Sequence, residues 1–292
     1  MNPHLKSYTV KSKKIRNPFR CVLISDLHNK DYGQHNNKVY DSIRDLHPDI
    51  ILCSGDIIIG KGKFPQEAAF SMIRRLPEIA PVYFSNGNHE TQLHIFSPEE
   101  YSCLTEALYD AGVHVLNNTS EEISISGNRV RIYGLELGLS KYKKFRVQHI
   151  SERYLRERIG YIDNTEDFNI LIAHNPEFGD FYCRWGADLI VSGHYHGGLI
   201  RSPFSGRNML SPYGFYYPKY GYGQVNWTES GRCIRNTSDR NPAGDNVPPG
   251  SCMITSAGLG DHRIPIRIFN PHEIVCIDVK RANGPKGRTV GI

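Results

Sequence analysis

Five short apolar runs punctuate the chain: Cys21 to Ile24, Ile50 to Cys53, Val82 to Phe84, Ile170 to Ala173 and Leu189 to Val191. Each has the length of a strand and carries β-branched or aromatic residues, which predicts strands buried on both faces. Between the first three lie helical patterns. Val39, Ile43 and Leu46 fall at helical spacing, and Ala68 to Leu76 forms a second apolar-faced segment. Ser97, Pro98 and Glu100 predict a helix start with a capping box. Strands alternating with helices predict a largely parallel α/β sheet. Val113 to Leu116, Glu121 to Ser126 and Arg129 to Tyr133 alternate with period two, with a hairpin turn at Ser126-Gly127-Asn128, and Glu273 to Val279 reads as a further strand. These additions predict a second sheet, giving a sandwich with helices outside.

The stretch from Arg201 to Gly250 departs from this pattern, being dense in Gly, Pro, Asn and aromatics such as Phe204, Tyr213, Tyr220 and Trp227. A structureless stretch of that length is unusual inside a compact domain. Two readings apply: a loop pinned by its own aromatic cluster, or a lid that contacts substrate. The resulting division is one domain over residues 1–279, with an insert or lid at 201–250 and a basic, flexible tail at 280–292.

Composition narrows the class. Of 292 residues, 39% are hydrophobic and 22% charged, which excludes a disordered chain. The net charge of +5 collects at the two ends and around Lys141 to Arg146. That run reads as a solvated face, with an anion-steering patch as the alternative, and nucleic-acid binding is not demanded. Seven widely spaced cysteines lack both a disulfide framework and zinc-finger spacing, so they read as reduced core residues. Met1 to Arg20 holds no apolar signal core, and nowhere do 18 apolar residues run together. The expectation is a cytoplasmic protein without a transmembrane segment.

Every one of the five apolar runs is followed at once by potential metal ligands: Asp26-Leu27-His28, Gly55-Asp56, Asn86-Gly87-Asn88-His89-Glu90, His174-Asn175-Pro176 and Gly193-His194-Tyr195-His196-Gly197-Gly198. Residues two apart on an extended segment project to one side, so Asp26 with His28, and His194 with His196, form potential chelates. Groups just past the carboxyl ends of parallel strands share one rim. Taken singly, each fragment has an ordinary structural explanation; their occurrence at five strand ends does not. Imidazole, carboxylate and amide oxygen suit divalent Mn, Fe, Ni or Zn, and the absence of thiolate argues against a structural zinc site.

In this order, Asp-x-His, Gly-Asp, Gly-Asn-His-Glu, a later His and Gly-His-x-His-Gly-Gly resemble the calcineurin-like metallophosphoesterase family. The Gly258-Leu259-Gly260 turn followed by Pro265-Ile266-Arg267 is similar to its bacterial branch typified by YkuE and YaeI. Tyr195 departs from that branch, which more often has Thr, and the 201–250 insert is longer. The resemblance implies a four-layer α/β/β/α sandwich with a dinuclear metal site at the carboxyl ends of the strands. It also implies a hydrolase that cleaves phosphoesters, as a phosphodiesterase, through water activated by two divalent ions. One ion would be held by Asp26, His28 and His196, the other by Asn88, His174 and His194, with Asp56 bridging and His89 acting near the leaving oxygen. Asp167, Glu177, Asp180 and Asp188 are candidates to orient ligand histidines; Arg201, Arg263 and Arg267 are candidates for the substrate rim. The expected partner is a phosphoester, either a small molecule or lipid-linked. The competing reading is a non-catalytic interaction platform on the same fold.

Overall fold

A computed structural model describes residues 2–60, 66–143, 149–211, 217–228, 233–235, 250–261 and 265–282. In chain order its strands are β1 (His4–Ser12), β2 (Phe19–Ile24), β3 (Ile50–Cys53), β4 (Val82–Phe84), β5 (His114–Val115), β6 (Thr119–Ile125), β7 (Asn128–Leu135), β8 (Phe168–Ala173), β9 (Leu189–Ser192), β10 (Ile200–Arg201), β11 (Asn208–Leu210), β12 (Gly223–Trp227), β13 (Cys233–Arg235), β14 (Cys252–Thr255) and β15 (Glu273–Arg281). The α-helices are α1 (Asn37–Arg44), α2 (Glu67–Arg75), α3 (Asn88–Phe96), α4 (Pro98–Asp110), α5 (Glu152–Ile159) and α6 (Gly179–Trp185).

Two sheets lie face to face. One has the order β1-β15-β2-β3-β4-β5, the other β13-β12-β14-β9-β8-β7-β6. Alternation within the strands decides what each face meets. Cys21, Leu23, Ile50 and Leu52 point inward with Ile170, Ile172 and Val191 to form the layer between the sheets. Their neighbours Val22, Ile24, Ile51 and Cys53 turn outward onto Val39, Ile43, Met72 and Leu108 of α1, α2 and α4. On the far side, Leu171, Ala173 and Ile190 meet Leu155, Ile159 and Tyr182 of α5 and α6. The result is the α/β/β/α sandwich, with strands β2, β3 and β4 parallel in one sheet and β7, β8, β9 and β14 parallel in the other.

Several expectations are revised. Ser97 caps α4 without a side-chain hydrogen bond, and it also ends α3, giving its N–H to the Leu93 carbonyl. The 201–250 stretch is not structureless: it contributes β10 and β11, and β12 and β13 extend the second sheet. Tyr220 and Trp227 are buried there, and the Trp227 indole donates to Asp180 (3.0 Å). The lid reading of Tyr213 to Tyr216 lies outside the described residues. Strand β15 runs through Lys280 and Arg281, the first two residues assigned to the tail from the sequence. No helix among the described residues is long and apolar enough to cross a membrane.

Candidate metal centre

The loops leaving β2, β3, β4, β8 and β9 meet at one end of the sandwich, bringing Asp26, His28, Asp56, His89, His174, His194 and His196 together, with Asn88 opening α3 between Gly87 and His89. Three overlapping donor groups result: Asp26 with His28 and His196, His28 with Asp56 and His89, and Asp56 with His174 and His194. Within each group the ligand atoms lie within 4.8 Å of one another. Asp26 Oδ1 stands 3.4 Å from His196 Nε2, and the Nε2 atoms of His28 and His196 are 3.1 Å apart. Asp56 Oδ2 stands 3.0 Å from His174 Nε2 and 3.9 Å from His28 Nε2.

The backbone that achieves this is not extended. Asp26 (φ 49°), His28 (φ 49°), Asp56 (φ 54°), His194 (φ 71°) and His196 (φ 50°) all adopt the left-handed conformation. Side chains two apart therefore converge through tight turns, which corrects the alternation argument made from the sequence. Such conformations cost roughly 1–3 kcal/mol each and persist only where surroundings impose them. Glu90 supplies much of that imposition. Its buried carboxylate accepts the backbone N–H groups of Asp56 (2.8 Å), Ile57 (2.8 Å), Ile58 (3.3 Å) and Gly87 (2.9 Å), tying the β3 loop to the β4 loop. Gly55 (φ 86°) sits under the same clamp, where an added Cβ would collide with the backbone of Gly87.

Protons can be located from the hydrogen bonds. His174 Nδ1 lies 2.6 Å from the Ser54 carbonyl, which can only accept, so this nitrogen carries the hydrogen. Its Nε2 then faces Asp56 Oδ2 at 3.0 Å. His89 is the reverse case. Its Nδ1 accepts the Gly60 N–H (2.8 Å), so Nε2 carries the hydrogen and is a donor. Asp56 Oδ1 accepts the His89 backbone N–H (2.7 Å), and Asp26 accepts the His194 N–H (3.1 Å).

The electrostatics call for added positive charge. Burial lifts the Asp26 carboxyl to about 6, with His174 opposing and Asp56 adding to the rise. Burial would raise Asp56 too, but His174, His89 and His28 outweigh it and hold that carboxyl well below its ordinary range. Burial disfavours a charged His174, yet Asp56 and Asp26 carry its imidazole up to about 9. Burial and Asp56 push Glu90 up to about 7 against its backbone donors. Buried Asn88 Oδ1 has no hydrogen-bond partner. Carboxylate, amide and imidazole donors without thiolate fit hard or borderline divalent cations.

Three of the four carboxylates suggested for holding ligand histidines act elsewhere. Asp188 pairs with Lys14 and Asn169, Asp167 with Arg129 and Asn164, and Asp180 with Lys219 and Trp227. Backbone carbonyls take that role instead: Ser54 for His174 and Gly260 for His196 (3.3 Å). Arg201 is buried, donates to the Phe269 carbonyl and stacks on Tyr222 (3.9 Å), while Arg263 lies outside the described residues.

Residues 19–198 match the family model for calcineurin-like phosphoesterases. The chain is 26% identical over 296 residues to the metallophosphoesterase YkuE of Bacillus subtilis (strain 168), covering 97% of this chain and 88% of YkuE. It is 26% identical over 193 residues to the phosphodiesterase YaeI of Escherichia coli (strain K12), covering 65% and 64%. Among solved structures, NAD nucleotidase (NadN) of Haemophilus influenzae aligns with a TM-score of 0.47 and 13% identity; 84% of this chain spans 46% of that longer protein. With the family model covering more than half its length, the chain belongs to the calcineurin-like phosphoesterases, metal-dependent hydrolases built around a dinuclear divalent-metal site.

Proposed function

We propose that this chain is a phosphodiesterase in which Asp26, His28 and His196 hold one divalent ion, Asn88, His174 and His194 hold the other, and Asp56 serves both. The observation that carries this reading is the convergence of three overlapping donor groups at one end of the sandwich. Preference for a diester is supported by the similarity to YaeI. When bound, a pair of such ions supplies Lewis acidity to the phosphoryl oxygens and lowers the pKa of water to about 7.

The protein's own groups then have distinct tasks. Asp56 keeps Oδ2 turned to the donors because Oδ1 is spent on the His89 N–H. His89 presents its Nε2–H, so it donates a hydrogen bond to a phosphoryl oxygen or to the departing oxygen as charge develops there. A protonated Nε2 cannot ligate a cation, so His89 stays outside the ligand set despite lying in one of the donor groups.

The proposal extends to manganese, which suits a carboxylate, amide and imidazole set. It also extends to a soluble phosphodiester as substrate and to the cytoplasm, a reducing location supported by the free thiols of Cys21, Cys53, Cys252 and Cys276. The test is hydrolysis of bis-p-nitrophenyl phosphate and p-nitrophenyl phosphate by chelator-treated protein resupplied with Mn²⁺. Metal-restored cleavage of the diester, lost in Asp56→Asn, is the expected result. Inactivity with every divalent metal would overturn the reading and return weight to a binding platform.

A further inference from the structure

We infer that Arg267 is a positioning residue that holds His196 as its Nδ1–H tautomer, with the Nε2 lone pair turned to the group it forms with Asp26 and His28. This rests on the reading of His196 as a metal ligand. Arg267 lies beyond the stretch that matches the family, and its side chain is only 9% exposed. It packs against the loop that follows β9. Its Nη2 donates to the carbonyls of Ala257 (2.9 Å) and Gly260, and Nη1 donates to the His196 carbonyl (3.3 Å).

His196 Nδ1 has two neighbours, the Gly260 carbonyl and Arg267 Nη2, each at 3.3 Å. A guanidinium can only donate, and each terminal nitrogen has two hydrogens. Both hydrogens of Nη2 are taken by the Ala257 and Gly260 carbonyls. None remains for the ring, so Nδ1 keeps its own hydrogen and gives it to Gly260. A neutral imidazole carries one N–H, and Nε2 therefore presents its lone pair to the donor group.

The guanidinium is itself fixed. Its Nε stands 3.3 Å from Asp261, which also pairs with Lys30 (2.7 Å) and His272 (2.6 Å). Lys30 follows His28 by two residues, so one strut reaches both histidines of the Asp26 group. The Gly258-Leu259-Gly260 turn completes the tie, with Leu259 donating to the Ser25 carbonyl (3.0 Å) and Gly260 to that of Asp26 (2.5 Å).

Arg267→Met keeps the aliphatic stem and removes every donor, whereas Arg267→Lys keeps the charge without the fork. Ring ¹⁵N NMR of folded protein, with His196 assigned by His196→Gln, is expected to show one Nδ1–H tautomer in the wild type and a mixture in Arg267→Met. Affinity for one of the two ions should fall about 10–100-fold. Excess metal should recover kcat at unchanged KM, and Arg267→Lys should lie between. A wild-type tautomer and wild-type metal binding in folded Arg267→Met would overturn the inference. So would a raised KM at unchanged metal affinity, which marks a substrate contact. If Arg267→Met does not fold, Arg267→Lys carries the same comparison: a tautomer mixture supports the role and a pure Nδ1–H form refutes it. Failure of metal-dependent hydrolysis in the wild type would sink the proposed function, while the tautomer comparison would still decide the role of Arg267.

Discussion

The layer between the sheets and the rim at their ends are built on opposite terms. Between the sheets, Leu23, Leu52, Ile132, Ile170 and Val191 are fully buried side chains on regular strands. At the rim, a few residues further along the same strands, charged and polar side chains are nearly as buried, and four of them, Asp26, Asp56, His194 and His196, sit on left-handed backbone, as does half-buried His28. The first region gains free energy from every contact. The second costs free energy, in strain and in desolvated charge, and is stable because the first region, Glu90 and the backbone carbonyls hold it. Stability and activity should therefore separate under mutation.

The sharpest break comes from the rim. Asp56→Asn should lower metal-restored diester hydrolysis by at least about 100-fold, more than loss of an orienting group would, with folding intact by circular dichroism. His89→Ala should lose about 10²–10⁴-fold in kcat while metal content per chain stays unchanged. Equal turnover in the variant would remove His89 from the chemistry. The contrasting change is Ile170→Ala in the inter-sheet layer. It should cost about 2–5 kcal/mol in urea unfolding and leave kcat unaltered below the transition; a matching loss of kcat would erase the distinction between regions. Glu90→Gln tests the clamp that joins them. An amide nitrogen cannot accept, so some of the four backbone donors lose their partner. A loss of about 1–3 kcal/mol is expected together with weaker metal binding.

The smallest effect is one of pH. Burial raises the Asp180 carboxyl, but the hydrogen bonds from Lys219, Tyr220 and Trp227 outweigh it, leaving the folded value below the ordinary 3.8. A depressed carboxyl contributes stability that is present above the unfolded value and lost as pH falls through the folded one. The acid limb of a stability profile should therefore flatten slightly below about pH 4 in Asp180→Asn. An unchanged limb would show that this pairing does not contribute.

What the sequence made legible follows the same division. Ile50–Cys53 and Val82–Phe84 were marked residue for residue, because a strand buried on both faces leaves an uninterrupted apolar run. β12 was missed because its Gln224 and Asn226 are buried yet polar, satisfied in part by each other (3.2 Å). β1 was missed because only Tyr8, Val10 and Ser12 are buried, while Leu5, Ser7, Thr9 and Lys11 on the other face are wholly or partly exposed. At the rim the ligand types were readable, since five fragments each follow a strand end. The left-handed turns were not, because Asp and His adopt them only under tertiary constraint. Nor were the partners Ser54, Gly60 and Gly260, which act through backbone atoms that any residue possesses. Glu90 was visible beside His89, but its four backbone donors appear only once the β3 and β4 loops are side by side.

The most direct measurement is anomalous diffraction from crystals of the chain grown with Mn²⁺. The account predicts two manganese peaks about 3.5–4 Å apart, one against Asp26, His28 and His196, the other against Asn88, His174 and His194, with Asp56 between them and His89 outside both. A single peak, or manganese ligated by His89, would contradict it.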